Sequence, residues 1–386
     1  MTSTDRDQHG RVAAAADPRH TLWTVQLMRA AAALMVVIGH SQSTVEAIKR
    51  QADEAFARST ILPWGASVDL FFVISGFIMV YASRRLFGQP GAVRDFLTRR
   101  LARIVPLYWI VTGLFLVLLL AAKLKGGDPF PSAAAIAASY AFLPFDTHGD
   151  GRAFPVFDLG WTLNYEMFFY AVFALAVMLP RRRAVAAVAA MLLVVVAAGT
   201  VVPEDQVALH FWTRPIMIDF GLGMAVGLAL SEGMRLPRSM RLVLAAAGAA
   251  MLVLDPTHLF QGALGTTVAN GWARVLVAGV PATALLAAAT LGPEPRLRAP
   301  LMPFMPVGDA SYSLYLLHPV ALIVLEKLAQ KLPAFRLLPG PMLVIGTVLA
   351  AVVIALVAFR WGERPMTAYI ARHLINRPRP TRPQPA

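Results

Sequence analysis

Between residues 22 and 361 the chain is a succession of apolar runs broken by short polar segments, many of them rich in arginine. Eleven runs can be counted, at 24–44, 64–83, 104–122, 132–144, 160–179, 184–202, 212–230, 240–256, 271–291, 308–330 and 340–361. A helix that crosses a bilayer takes roughly 20 largely apolar residues, with a range of about 17–25, and ten of the eleven runs qualify. The exception is 132–144. If it crossed, Arg181, Arg182 and Arg183 would lie outside with Arg364, Arg372 and Arg377, and the acidic loop around Asp146, Asp150 and Asp158 would lie inside, against the usual excess of basic residues in cytoplasmic loops. If it enters one leaflet or lies on the outer face, every basic cluster from Arg84 to the C-terminal tail falls on the cytoplasmic side. The pattern therefore predicts an all-α polytopic integral membrane protein of about ten transmembrane helices, with a short re-entrant or outer-face segment and both termini cytoplasmic.

Composition agrees with a membrane fold and removes several chemistries. Of 386 residues, 57% are hydrophobic and 15% charged, whereas a soluble domain is nearer half apolar and a quarter charged. A soluble globular protein is excluded. With no cysteine there is no disulfide framework, no thiolate metal site and no thiol nucleophile. The net charge of +13 sits in short clusters between apolar runs, which suits lipid-facing loops and not a nucleic-acid partner. Residues 1–20 are polar and lack the apolar core of a secretory signal, so they are expected to form a cytoplasmic tail. Residues 21–365 form the membrane domain, and 366–386 a cytoplasmic Pro/Arg-rich tail, disordered from Arg377. No transporter-type repeat, Walker A run, dinucleotide-binding glycine fingerprint or zinc HExxH pair occurs, and no metal site is expected.

Ionisable groups inside the runs carry the functional signal, because each is costly in hydrocarbon unless paired or hydrated. Arg29 and His40 stand eleven residues apart, about three helical turns, within roughly 20° of one face and some 16 Å along the axis. His318, ten residues into a run entered from the inside, reaches a similar depth of about 15 Å, and Pro319 removes the next backbone donor. Glu166 lies five residues into a run entered from the outside, where an imidazole N–H is a natural partner. Asp69 opens another run as a helix cap or a buried acid, and Ser75–Gly76 form a small polar spot suited to close helix packing. Arg99 and Arg103, four apart with Arg100 between them, present guanidinium forks suited to phosphate or to anionic lipid.

Taken together, these segments resemble the acyltransferase-3 family of polytopic membrane acyltransferases, and within it the exopolysaccharide-production branch. The resemblance rests on six motifs in order: Arg29 with His40; Val68-Asp-Leu-Phe-Phe-Val-Ile-Ser-Gly-Phe77; Arg99-Arg-Leu-Ala-Arg103-Ile-Val-Pro-Leu-Tyr-Trp109; Trp161-Thr-Leu-Asn-Tyr-Glu166; Ser311-Tyr-Ser-Leu-Tyr-Leu-Leu-His318; and Trp361-Gly-Glu-Arg-Pro365. It implies a ten-span core in the inner (cytoplasmic) membrane, acyl-CoA, acetyl-CoA by default, as donor substrate, and a hydroxyl of a surface glycan or lipid-linked saccharide as acceptor. On this reading His40 is the general base, oriented by Glu166. Arg29, Arg99, Arg100 and Arg103 hold the donor, and Asp69, Ser75, Tyr312 and His318 line the substrate cavity. Direct transfer is favoured over an acyl-enzyme on histidine, Ser75 or Ser311. A saccharide transporter or flippase, or a structural subunit of a polysaccharide-secretion complex, would use the same residues differently. Histidine substitution separates the readings.

Overall fold

The computed structural model describes residues 22–256, 259–260 and 270–375. The expected tail at 1–20 and the stretch after residue 375 lie outside the described residues. Among the described residues the chain is all-helical, without strands. In chain order the helices are α1 (Trp23–Arg50), α2 (Ser67–Ala82), α3 (Ala92–Lys123), α4 (Ala133–Tyr140), α5 (Trp161–Ala176), α6 (Arg181–Ala198), α7 (Val207–Trp212) and α8 (Ile218–Ser231). They continue as α9 (Arg238–Leu254), α10 (Trp272–Thr290, with a π-turn at Val275–Gly279), α11 (Phe304–Asp309), α12 (Ser311–Lys331), α13 (Pro333–Arg336), α14 (Gly340–Ala358) and α15 (Arg364–Ile375).

Among the described residues six helical stretches are long and apolar enough to cross a membrane: Trp23–Arg50, Trp64–Ala82, Ala92–Lys123, Trp272–Thr290, Ser311–Lys331 and Gly340–Leu374. The expected count of ten also needs α5, α6, α8 and α9, which have 16, 18, 14 and 17 residues. At 1.5 Å per residue these reach about 21–27 Å, short of the roughly 30 Å hydrocarbon layer. The weak segment 132–144 forms α4, whose eight residues span only about 12 Å. It is anchored by Ser132, whose side chain accepts from the Ala135 N–H, and by Ser139, which accepts from the Val156 N–H at 2.8 Å. Large apolar residues such as Val117, Leu193, Val243 and Leu349 are exposed on the outward faces of α3, α6, α9 and α14, as a lipid-facing surface requires.

Close packing in such a bundle cannot draw on the hydrophobic effect, so small residues set the approach of helices. α2 and α8 meet at backbone distance. A Cβ on Gly223 would fall 1.9 Å from the Val73 carbonyl oxygen, and one on Gly76 would fall 2.0 Å from that of Phe220. Around this crossing Phe72 and Phe169 stack on Phe220, each with ring centroids 4.4 Å apart. Between α6 and α8, Arg182 and Arg181 both bond Glu232, and the Arg182 hydrogen bond foremost holds its carboxyl below the usual range.

Gly223→Ala is expected to lower stability by on the order of 1–3 kcal/mol through overpacking, read as a lower melting temperature of the detergent-solubilised protein. Gly221→Ala, whose Cβ meets only Leu192 Cδ1 at 3.7 Å, is expected to leave the melting temperature unchanged or slightly raised.

Candidate active site

α1 meets α12 at both ends of its polar stripe. Toward the start of α1, Arg29 donates from Nη2 to Ser311 Oγ at 2.7 Å and from Nη1 to Gln26 Oε1 at 3.0 Å. Gln26 in turn donates to Asp309 Oδ1 at 2.6 Å. Three turns on, His40 Nδ1 lies 2.8 Å from His318 Nε2, with ring centroids 5.1 Å apart.

The tautomers of this pair follow from its hydrogen bonds. His318 Nδ1 lies 2.9 Å from the Tyr315 carbonyl oxygen and 3.2 Å from that of Leu314. A carbonyl only accepts, so His318 Nδ1 carries a proton, and with both rings neutral its Nε2 carries the lone pair. His40 then donates through Nδ1–H, which leaves its Nε2 with a lone pair and no protein partner among the described residues. Pro319 accounts for the free Tyr315 carbonyl. In an α-helix that oxygen would accept from the N–H four residues on, and a proline has none. The string Tyr315-Leu-Leu-His318-Pro319 thus orients the base-like nitrogen of a residue on another helix.

Two cavities adjoin the pair of helices. An arginine-lined cavity of about 100 Å³ is bounded by Arg29, Arg100, Arg103, Ser75, Glu166, Tyr170 and Tyr312. Arg29, Arg100 and Arg103 have no carboxylate within salt-bridge distance among the described residues, and Arg100 Nε is buried without a hydrogen-bond partner. Guanidinium groups with no carboxylate at hand suit an anion such as a phosphate. A histidine-lined cavity of about 440 Å³ is bounded by His40, Gln42, Glu46, Arg58, Trp64 and Trp161. Val68 and Tyr315 border both cavities. A third cavity of about 250 Å³ shares Trp161 with the second and adds Arg152, His210 and Arg214. Among the described residues no group of three His, Asp or Glu side chains is placed to hold a metal ion.

The sequence-predicted residues divide between these surroundings. His40 and His318 meet directly. Arg29, Arg100, Arg103, Ser75 and Tyr312 share the arginine-lined cavity, Tyr312 donating to the Ile104 carbonyl at 2.7 Å. Arg99 is exposed and does not line it. Glu166 is not brought to His40. Its Oε1 accepts from Ser75 at 3.0 Å and from Tyr170 at 2.5 Å, because the face of α5 that carries it turns toward α2. Asp69 lines neither cavity: it is fully buried and takes both nitrogens of the Arg274 fork, Nε at 2.9 and 3.0 Å and Nη2 at 2.8 Å.

Three residues were not singled out by the sequence reading. Arg274 is also fully buried and donates to the Gly65 carbonyl and to Asn270; an arginine within the run 271–291 was its available signal. Asp219, buried with no hydrogen-bond donor at either oxygen, packs against the same π-turn, where a Cβ on Gly279 would fall 2.0 Å from its Oδ1. Tyr315 lay hidden among apolar neighbours.

Comparison with known proteins bears on the family to which the chain belongs. A family model described as an acyltransferase domain matches residues 23–360. The chain is 34% identical over 315 residues to the exopolysaccharide production protein ExoZ of Rhizobium meliloti (strain 1021), covering 78% of this chain and 89% of that protein. No solved structure matches the chain.

Removing one member of a buried ion pair strands the other, a loss of about 3–5 kcal/mol. Arg274→Met is therefore expected to reduce the yield of folded, monodisperse protein sharply, and adding Asp69→Leu to recover part of it. Asp69→Asn alone is expected to be milder, because the amide oxygen still accepts from the guanidinium that donates to Asp69. Size-exclusion profiles and melting temperatures of the three variants check the order.

Proposed function

The chain belongs to the acyltransferase-3 family, on its exopolysaccharide-production branch, and from that membership we propose that it moves an acyl group, acetyl by default, from cytoplasmic acyl-CoA to a hydroxyl of an extracytoplasmic or lipid-linked glycan. In this reading the protein lies in the inner membrane with ten spans and both termini in the cytoplasm, and the arginine-lined cavity opens inward. The observation that carries the proposal is the juxtaposition of two unlike cavities: one with guanidinium groups that lack carboxylate partners, the other with a neutral imidazole whose Nε2 is unused.

Arg29, Arg100 and Arg103 hold the phosphates of the donor, with Arg99 at the cavity's outer approach. Glu166, bonded to Ser75 and Tyr170, balances the arginines when the donor is absent. In the other cavity the flat faces of Trp64 and Trp161 suit the apolar faces of sugar rings, and the third cavity beyond Trp161 accommodates further residues of a saccharide. His40 Nε2 takes the proton of the acceptor hydroxyl as its oxygen attacks the thioester carbonyl. The C–S bond then breaks, and the departing CoA thiolate takes that proton back. The imidazolium formed in between keeps its Nδ1–H on His318, whose own Nδ1–H rests on the Tyr315 carbonyl. His318 so fills the orienting place that a carboxylate has in a serine hydrolase triad. Asp69, bound to Arg274, supports the bundle beside the site.

The test is acetyl-CoA binding and transfer of labelled acetyl to surface polysaccharide by wild type and variants. His40→Ala is expected to bind acetyl-CoA as wild type does and to lose transfer by about 10²–10⁴-fold; transfer at the wild-type rate would sink the assignment. Arg103→Gln is expected to raise KM for acetyl-CoA with little change in kcat. Pro319→Ala restores an N–H that competes for the Tyr315 carbonyl. It is expected to lower kcat without lowering the melting temperature. If wild type neither binds acyl-CoA nor transfers label while folded, the same residues serve transport instead.

A further inference from the structure

The arginine-lined and histidine-lined cavities are separate spaces, and among the described residues Val68 and Tyr315 alone line both. Tyr315 is 7% exposed and held on every side. Its hydroxyl donates to the Leu159 carbonyl at 2.8 Å and lies 2.8 Å from Thr162 Oγ1, which also reaches the Leu159 carbonyl at 3.3 Å. Its ring stands edge-on to Phe71, with centroids 6.1 Å apart. Leu159 borders the histidine-lined cavity and Thr162 the arginine-lined one, so the latched hydroxyl sits where the two spaces would otherwise join.

An acyl group held through its carrier's phosphates on one side has to pass this point to reach His40 on the other. We propose that Tyr315, backed by Val68, is the partition between the two cavities and the residue that decides how large an acyl group crosses it. The inference rests on the acyltransferase reading for its substrate and on the cavity geometry alone for the wall. Two consequences follow from the placement. A closed partition keeps water from connecting the two faces of the bundle through the site, which protects the thioester from hydrolysis. Opening it also disturbs the dyad, because the carbonyl that fixes His318 belongs to Tyr315 itself. Passage and base orientation are thereby coupled through one residue.

The cysteine-free chain permits a direct test. Ile78→Cys places a single thiol in the arginine-lined cavity and Ser43→Cys one in the histidine-lined cavity. Each is exposed to a membrane-impermeant sulfonated thiosulfonate added from the outer side of intact spheroplasts. Ser43→Cys is expected to react and Ile78→Cys to stay unlabelled. Combining Ile78→Cys with Tyr315→Ala is expected to raise its labelling by about tenfold or more, as a standing opening replaces a rare one. Tyr315→Phe keeps the ring and is expected to remain closed. Ser43→Cys labelled at an unchanged rate in the Tyr315→Ala background shows that this variant is folded.

In parallel, consumption of acetyl-, butyryl- and hexanoyl-CoA is compared. Tyr315→Ala is expected to shift the ratio of kcat/KM toward the longer chains by about tenfold, the scale of a hydrophobic pocket's discrimination between chain lengths. Ile78→Cys as unreactive with Tyr315→Ala as without it, together with an unchanged acyl profile, overturns the partition. Labelling that follows the expected pattern in a protein that consumes no acyl-CoA leaves the wall in place and overturns the acyltransferase reading instead.

Discussion

The seam between α1 and α12 fixes everything else about the site. Two hydrogen bonds close it, Arg29 to Ser311 at 2.7 Å and His40 to His318 at 2.8 Å, and they fasten the helices side by side, running the same way. The spacing is eleven residues on α1 and seven on α12, about 16 and 10 Å; the long Arg29 side chain takes up the difference. In hydrocarbon neither an arginine nor a histidine is tolerated alone, so each polar group on one helix demands its partner on the other. Register is therefore set by chemistry and not by shape. The two cavities are the spaces left on either side of the seam.

Charge is distributed with the same economy. Two fully buried charges, Asp69 and Arg274, cancel in a bidentate pair that lines neither cavity, and they hold α2 against the start of α10. By contrast, Arg29, Arg100 and Arg103 of the arginine-lined cavity have no carboxylate within salt-bridge distance among the described residues. A buried ion pair contributes structure, whereas an unpaired guanidinium at a cavity wall contributes affinity for an anion. The same residue type therefore serves two purposes, and burial among carboxylates or beside open space tells them apart.

Much of this was legible beforehand, for identifiable reasons. Helix starts at Arg181, Arg238 and Gly340 follow Pro180, Pro237 and Pro339, and apolar length separated the short α4 from its neighbours. The Arg29–His40 stripe could be read because both residues lie on one helix, where periodicity fixes the face. Which helix faces that stripe is a tertiary fact. Glu166 looked like a partner for His40 by chemical type, but the rotation of α5 carries it to Ser75. Arg99 and Arg103 share a helical face by spacing, yet the cavity meets α3 along Arg100 and Arg103. Gly76, expected to permit close packing, does so against Phe220, while its neighbour Ser75, about 100° round the helix, faces Glu166 and the arginine-lined cavity.

A histidine oriented by a second histidine, and that one by a backbone carbonyl, makes physical sense at this depth. A carboxylate in the orienting position would bring a full negative charge into a region where each uncompensated charge is costly even at rest. The imidazole pair is neutral until a proton arrives, and only then does the acceptor chain from His40 through His318 to Tyr315 bear a charge. The bundle so leaves the guanidinium groups without a carboxylate at salt-bridge distance to the arginine-lined cavity, where the proposed anionic donor would neutralise them. At the acyl carbon it offers only dipoles. Catalytic groups of this kind are strengthened by exclusion of water, which is what a latched tyrosine between the two spaces supplies.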